Sequence, residues 1–185
     1  MSDAVLLAET LLASFRHSFR GYKSLADRAL AQLSPAEWLH VPAPAGNSVA
    51  VLVQHLVGNL NSRFTHFLSS DGEKPDRQRD QEFVGPATPA AVPALQDQWE
   101  DAWLMLFDLL AALQPTDLLR TVPIRGEAHT VLAAMQRQVT HYAYHVGQIV
   151  QVAKTLRGAD WQCLSIPRGQ SEQFTRQLQS AANQA

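Results

Sequence analysis

Apolar side chains recur at helical spacing through four long stretches of this chain, and that pattern constrains the fold more than any other feature. In the first stretch Leu12, Phe15, Phe19, Tyr22 and Leu25 fall on one side of a helical period. Ser2 and Asp3 form an N-cap pair ahead of them, so the spacing predicts a helix over about residues 3–33, mildly weakened by Gly21. Asn47 and Ser48 cap a second helix carrying Leu52, Val53, Leu56, Leu60, Phe64, Phe67 and Leu68, which is expected to run to just before Ser69. A third, over about residues 94–113, lines up Leu95, Trp99, Trp103, Leu106 and Leu110. Trp99 and Trp103 read as core or dimer contacts, not as a ligand platform. Thr130 caps a fourth helix over about residues 131–156, which Arg157-Gly158 ends.

The segments between are short on strand signals. Ser34-Pro35-Ala36-Glu37 combines a cap, a first-turn proline and an N3 acid, so a brief helical turn starts there. Residues 119–124 read as a short extended piece with Arg125-Gly126-Glu127 as its turn. The tail, residues 160–185, holds a Pro-Arg-Gly turn and a short helix near residues 171–178. Residues 69–93 form a polar connection of a length that is uncommon inside a compact domain and often functional. Four long helices with almost no strand predict an all-α fold. They form a four-helix bundle, with a long crossover between the second and third helices. The expected organisation is a single domain over residues 1–185.

Composition narrows the function classes. A formal net charge of -2 leaves no basic excess, which argues against a nucleic-acid-binding surface. No apolar run approaches the length of a membrane span, and the acid-bearing N-terminal stretch reads as an amphipathic helix, not a signal peptide. The single cysteine, Cys163, cannot form an intrachain disulfide and reads as a buried or half-buried structural thiol. The expected setting is the cytoplasm, with no nucleic acid and no membrane as partner.

The chemistry-bearing residues gather on two helices. His141 and His145 stand four apart and share a face. On the second helix His55 begins a polar stripe with Asn59, Ser62, Arg63 and His66. Facing helices can bring His55 against the pair, and three converging imidazoles bind a divalent metal while leaving positions for water or substrate. Spacing alone leaves a second reading open, two partly exposed histidines on an amphipathic face, and the HExxH zinc-protease pattern is absent.

Three stretches carry a family resemblance: NSVAVLVQHLVGNLNSRFTHFLSSDGEKPDRQRDQEF, RQVTHYAYHVGQIV and LSIPRGQS. Through them the chain resembles the DinB-like (YfiT-like) superfamily of metalloenzymes, in a bacterial branch of unassigned function. The resemblance implies a four-helix bundle with a long crossover. It also implies a divalent ion, nickel or zinc, held by His55, His141 and His145. Relatives of this kind include thiol-dependent transferases and isomerases, which use low-molecular-weight thiols, and a metal-dependent hydrolase. Homodimers are common among them.

Further polar residues stand near these histidines. Asn59, Gln138, Tyr144 and Gln148 either fix imidazole tautomers or fill the helix seam. Arg63 and Arg168 either clamp a carboxylate of a substrate or thiol, or pair with the acids of residues 71–73 and 80–82. Asp71, Asp76, Asp80, Arg77 and Arg79 read as a charge network that locks the connection. The expected activity is metal-dependent thiol transfer to a small molecule. The alternatives are metal-dependent hydrolysis and a non-catalytic metal-binding dimeric module. The second and fourth helices offer no inward carboxylate to serve as the base for hydrolysis.

Overall fold

The computed structural model describes residues 2–182. Met1 and residues 183–185, the end of the tail, lie outside the described residues. The fold is all-α apart from one small hairpin. Its elements are α1 (Asp3–Leu30), α2 (Pro35–Trp38), α3 (Val49–Phe64), α4 (Val92–Ala112), β1 (Thr121–Ile124), β2 (Glu127–Thr130), α5 (Val131–Arg157) and α6 (Ser171–Ala182). The four long helices form a bundle: α1 packs on α5, α5 on α3, α3 on α4, and α4 closes back onto α1.

Local chemistry sets the ends of these helices. Ser48 and Thr130 accept hydrogen bonds from the backbone N–H three residues on, at 3.2 Å and 3.1 Å. Ser34 and Glu37 form the expected capping box. Ser2, by contrast, makes no side-chain cap. α1 stops at Leu30, short of the expected end, because the N–H groups of Gln32 and Leu33 bond to the carbonyls three residues back, in turns that lead into Ser34. α3 also ends early. Thr65 is extended and His66 adopts a left-handed φ of 50°, so His66 leaves the polar stripe for the solvent. Phe67 still reaches the core from the turn that follows, packing on Phe64.

One apolar cluster fills the bundle. Trp99, Trp103 and Tyr142 are fully enclosed, and the ring of Trp103 packs edge-on to both others. The two tryptophans are therefore core residues. Within this cluster the Tyr142 hydroxyl donates to Asn59 Oδ1 at 3.0 Å, a buried bond that ties α5 to α3.

Beyond Phe67, the connection from α3 to α4 is ordered chiefly by hydrogen bonds and ion pairs. The Asp71 carboxylate accepts from the backbone N–H groups of Glu73, Arg125 and Gly126 at 2.7–2.8 Å. Those last two residues form the tight hairpin turn between β1 and β2, with φ of 56° and 77°. Gly72 N–H donates to Pro123 O, and the Gly72 carbonyl accepts from Ser62 Oγ and Arg63. The sequence suggested only the first of the two strands. The second forms because the turn geometry of Arg125-Gly126 folds residues 127–130 back antiparallel. Asp76 and Asp80, expected in the locking network, stand at the surface, and the one ion pair of Asp80 among the described residues is with Arg79, at 3.9 Å. No helix among the described residues is long and apolar enough to cross a membrane.

The Tyr142–Asn59 bond fixes how the two histidine-bearing helices face each other. Tyr142→Phe leaves Asn59 Oδ1 buried without its donor. Urea unfolding at neutral pH should show a loss of about 1–2 kcal/mol. Unchanged stability would show that the bond contributes nothing to the α3–α5 packing.

Candidate metal centre

His55 on α3 and His141 and His145 on α5 converge. One ring nitrogen from each lies within 4.8 Å of the others. His141 Nε2 and His145 Nε2 are 3.1 Å apart. The ring of His55 stands edge-on to both, with centroids 5.5 Å and 4.8 Å away. His55 and His145 are buried and His141 is half-buried.

Two of the rings are oriented from behind. His55 Nδ1 lies 2.8 Å from Glu82 Oε2, and His145 Nδ1 lies 2.9 Å from Gln148 Oε1. An oxygen acceptor at Nδ1 places the proton there and turns the Nε2 lone pair toward the centre. His141 Nδ1 is buried with no partner among the described residues.

Glu82 comes from a 3₁₀ turn, Arg79–Phe83, in the middle of the connection. It is buried against α3 by three devices. Gln54 Nε2 donates to the carbonyls of Gln81 and Glu82 at 2.9 Å and 3.1 Å. Arg77 grips the carboxylate with two bonds, Nε to Oε1 at 2.7 Å and Nη2 to Oε2 at 2.9 Å. Gly58, one turn after His55, leaves the room: a Cβ there would stand 2.3 Å from Glu82 Oε1. Burial alone would raise the Glu82 pKa, but the bonds from His55 and Arg77 outweigh it and hold the carboxyl below its ordinary value. By sequence Glu82 is one of the acids of residues 80–82 expected to pair with an arginine, and its contact with His55 is not foreseen. The glycine in the face of α3 beside His55 was the available signal that another chain segment approaches there.

The remaining candidates divide. Gln148 does orient an imidazole, and Tyr144, largely exposed, lies edge-on to the His145 ring at 4.7 Å. Asn59 bonds Tyr142 instead of a histidine. Gln138 is buried, with Oε1 unpartnered among the described residues. Arg63 is buried and pairs with Glu73 at 2.9 Å, as the salt-bridge reading anticipated. Arg168 lies in an exposed turn of the tail and does not line the cavity beside the triad. The tail instead hydrogen-bonds to the end of α1, through Arg28 to Leu164 O and Gln32 to Gln162, and this carries the segment elsewhere. Cys163 in that tail is exposed, neither buried nor half-buried.

The triad opens into a cavity of about 620 Å³ that also includes Asn59, Phe83, Gln138 and Tyr144 in its wall. That volume suits a small molecule. Burial and the neighbouring imidazoles of His145 and His55 push the His141 pKa from its ordinary 6.5 down to about 3. Burial and His55 push His145 down to about 4. Both rings are therefore neutral at physiological pH, the form in which imidazole binds a metal.

The sign of the pH effect follows. In the unfolded chain these histidines take up protons near pH 6.5, whereas in the fold they resist until about pH 4 and 3. Stability from this source is full above pH 6.5 and falls as the pH drops below it. An NMR titration of the metal-free protein should find both imidazoles still neutral at about pH 5. Midpoints near the ordinary value would contradict the burial argument.

No curated protein and no solved structure gives a significant match to the chain. A family model described as "Protein of unknown function (DUF1572)" matches residues 7–170, a span that contains all three histidines and Glu82. The chain belongs to the DUF1572 family.

Proposed function

We propose that the protein is a divalent-metal-dependent enzyme of the DinB-like kind, a thiol-dependent transferase acting on a small molecule. The observation that carries this reading is the convergence of three imidazoles, two of them oriented from behind, in the wall of an open cavity. Ligands around a nickel or zinc ion, with metal–nitrogen bonds of about 2.0–2.1 Å, stand about 3–4 Å apart. The 3.1 Å between His141 and His145 fits that spacing, and imidazole suits either metal. A structural site would be closed by a fourth protein ligand. Here the cluster of candidate ligands among the described residues has three members, and an open cavity lies beside them.

A divalent ion in this position would supply Lewis acidity, polarising a carbonyl or favouring a thiolate. The chain's own residues do the rest. Glu82 and Gln148 fix the ring orientations of His55 and His145. Phe83, tilted against the His55 ring at 4.8 Å, and Tyr144, against His145, give the cavity apolar walls that limit water. The inward carboxylate that hydrolysis would need as a base does exist, in the connection. Both its oxygens are already engaged by Arg77 and His55, however, so it is poorly placed to accept another proton. That supports transfer over hydrolysis.

The test is elemental analysis of protein purified without a histidine tag. The parent should carry about one nickel or zinc per chain, and His145→Ala none. No metal above background in the parent at neutral pH, even after nickel or zinc is added, would sink the reading. Gly58→Ala should weaken metal affinity about tenfold or more by displacing Glu82 from His55, with helical content unchanged by circular dichroism. Loss of a thiol-dependent activity in His55→Ala would separate transfer from mere metal storage.

A further inference from the structure

We infer that the substrate is a small oxyanion, carrying a carboxylate or a phosphate, and that an arginine-rich wall of the same cavity captures it. The inference rests on the proposed site but not on its metal.

Five arginines line the cavity, and no aspartate or glutamate does. They form an inner and an outer group. Arg63 and Arg77 are buried and serve the fold, held by Glu73 and Glu82. Arg79, Arg125 and Arg137 are exposed at the cavity's solvent side. Their charge is poorly compensated. Among the described residues the Arg125 guanidinium pairs with Glu73 alone, at 3.2 Å, and that carboxylate already serves Arg63 and Arg77. Arg79 meets the almost fully exposed Asp80 at 3.9 Å, a contact worth little in water. Arg137 has no ion-pair partner among the described residues and stands one helical turn before His141. Five guanidinium groups thus face three carboxylates, in a chain whose formal net charge is -2. A concave wall of one sign, with low-dielectric sides, concentrates the opposite charge.

A further observation distinguishes this wall from a solvated charged face. Arg79 is held over the ring of Phe83 at 5.2 Å, and Phe83 lies against His55. The stack leads from the solvent side of the cavity to the imidazoles, so an oxyanion at Arg79, Arg125 and Arg137 leaves the rest of a small molecule beside the triad.

Isothermal titration calorimetry of the metal-loaded and metal-free protein, at low ionic strength, reads the inference directly. The probes are inorganic phosphate and succinate, which separate the phosphate from the carboxylate source. The parent should bind at least one of them in both states. Arg137→Gln should weaken that binding about tenfold or more, the loss expected for one charge-assisted hydrogen bond. Arg176→Gln, on the exposed α6, should leave it unchanged. Arg125→Gln provides an independent variant should Arg137→Gln fold poorly. Neither anion binding the parent at about 10 mM, or both wall variants binding as tightly as the parent, would overturn the inference. An anion that binds while no metal is found would leave the inference standing and the metalloenzyme reading refuted.

Discussion

Arg77 gripping Glu82 is the interaction on which the rest of the site depends. The connection between α3 and α4 has little apolar substance of its own, so burial cannot hold it down. A bidentate guanidinium–carboxylate pair can, because its geometry is fixed and its charges are shielded from water. Once held, the pair presents the second face of the carboxylate to His55. Taking either partner away would leave a buried charge uncompensated, which is far costlier than losing a surface ion pair. The connection is therefore a supporting wall of the site and not merely a link between helices.

That arrangement explains which features were legible in the sequence. The four helices were, because apolar periodicity and cap residues such as Ser34, Ser48 and Thr130 are local signals. The histidine triad was partly legible: His141 and His145 share a helical face, and only the packing of α3 on α5 brings His55 to them. Glu82 was not, since its place depends on a 27-residue separation from His55 and on the space left by Gly58. The end of α3 and the place of Arg168 were not legible for a related reason. Periodicity continued His66 along α3, but a left-handed residue ends the helix there. Motif proximity suggested Arg168, but the tail's hydrogen bonds to α1 take it away.

The locking network shows the same limit in finer detail. Sequence pattern located the charged cluster and two of its working members, Asp71 and Arg77, but placed Asp76 and Asp80 in it as well. Asp71 contributes through backbone N–H groups of the hairpin turn, an option that counting arginines does not reveal. Glu73 and Glu82 carry the guanidinium contacts, whereas Asp76 and Asp80 stay at the surface. Which acid of a run turns inward is decided by the 3₁₀ turn, whose pitch places Glu82 and not Asp80 over α3.

The two charge patterns of the cavity have a common origin. Burying neutral imidazoles next to cations is unfavourable for protonation, and Arg137 and Arg63 add to the effect of burial in depressing His141. Arg137, which would draw an anion, thus also helps to keep the His141 ring neutral and free to act as a ligand. Glu73 and Glu82 prevent the inner guanidinium groups from repelling a cation at the triad, while the outer three remain available to an anion. Charge is compensated at the imidazoles and left uncompensated at the cavity's solvent side. That gradient is the arrangement expected of a site that must hold a cation and an anion within one small volume.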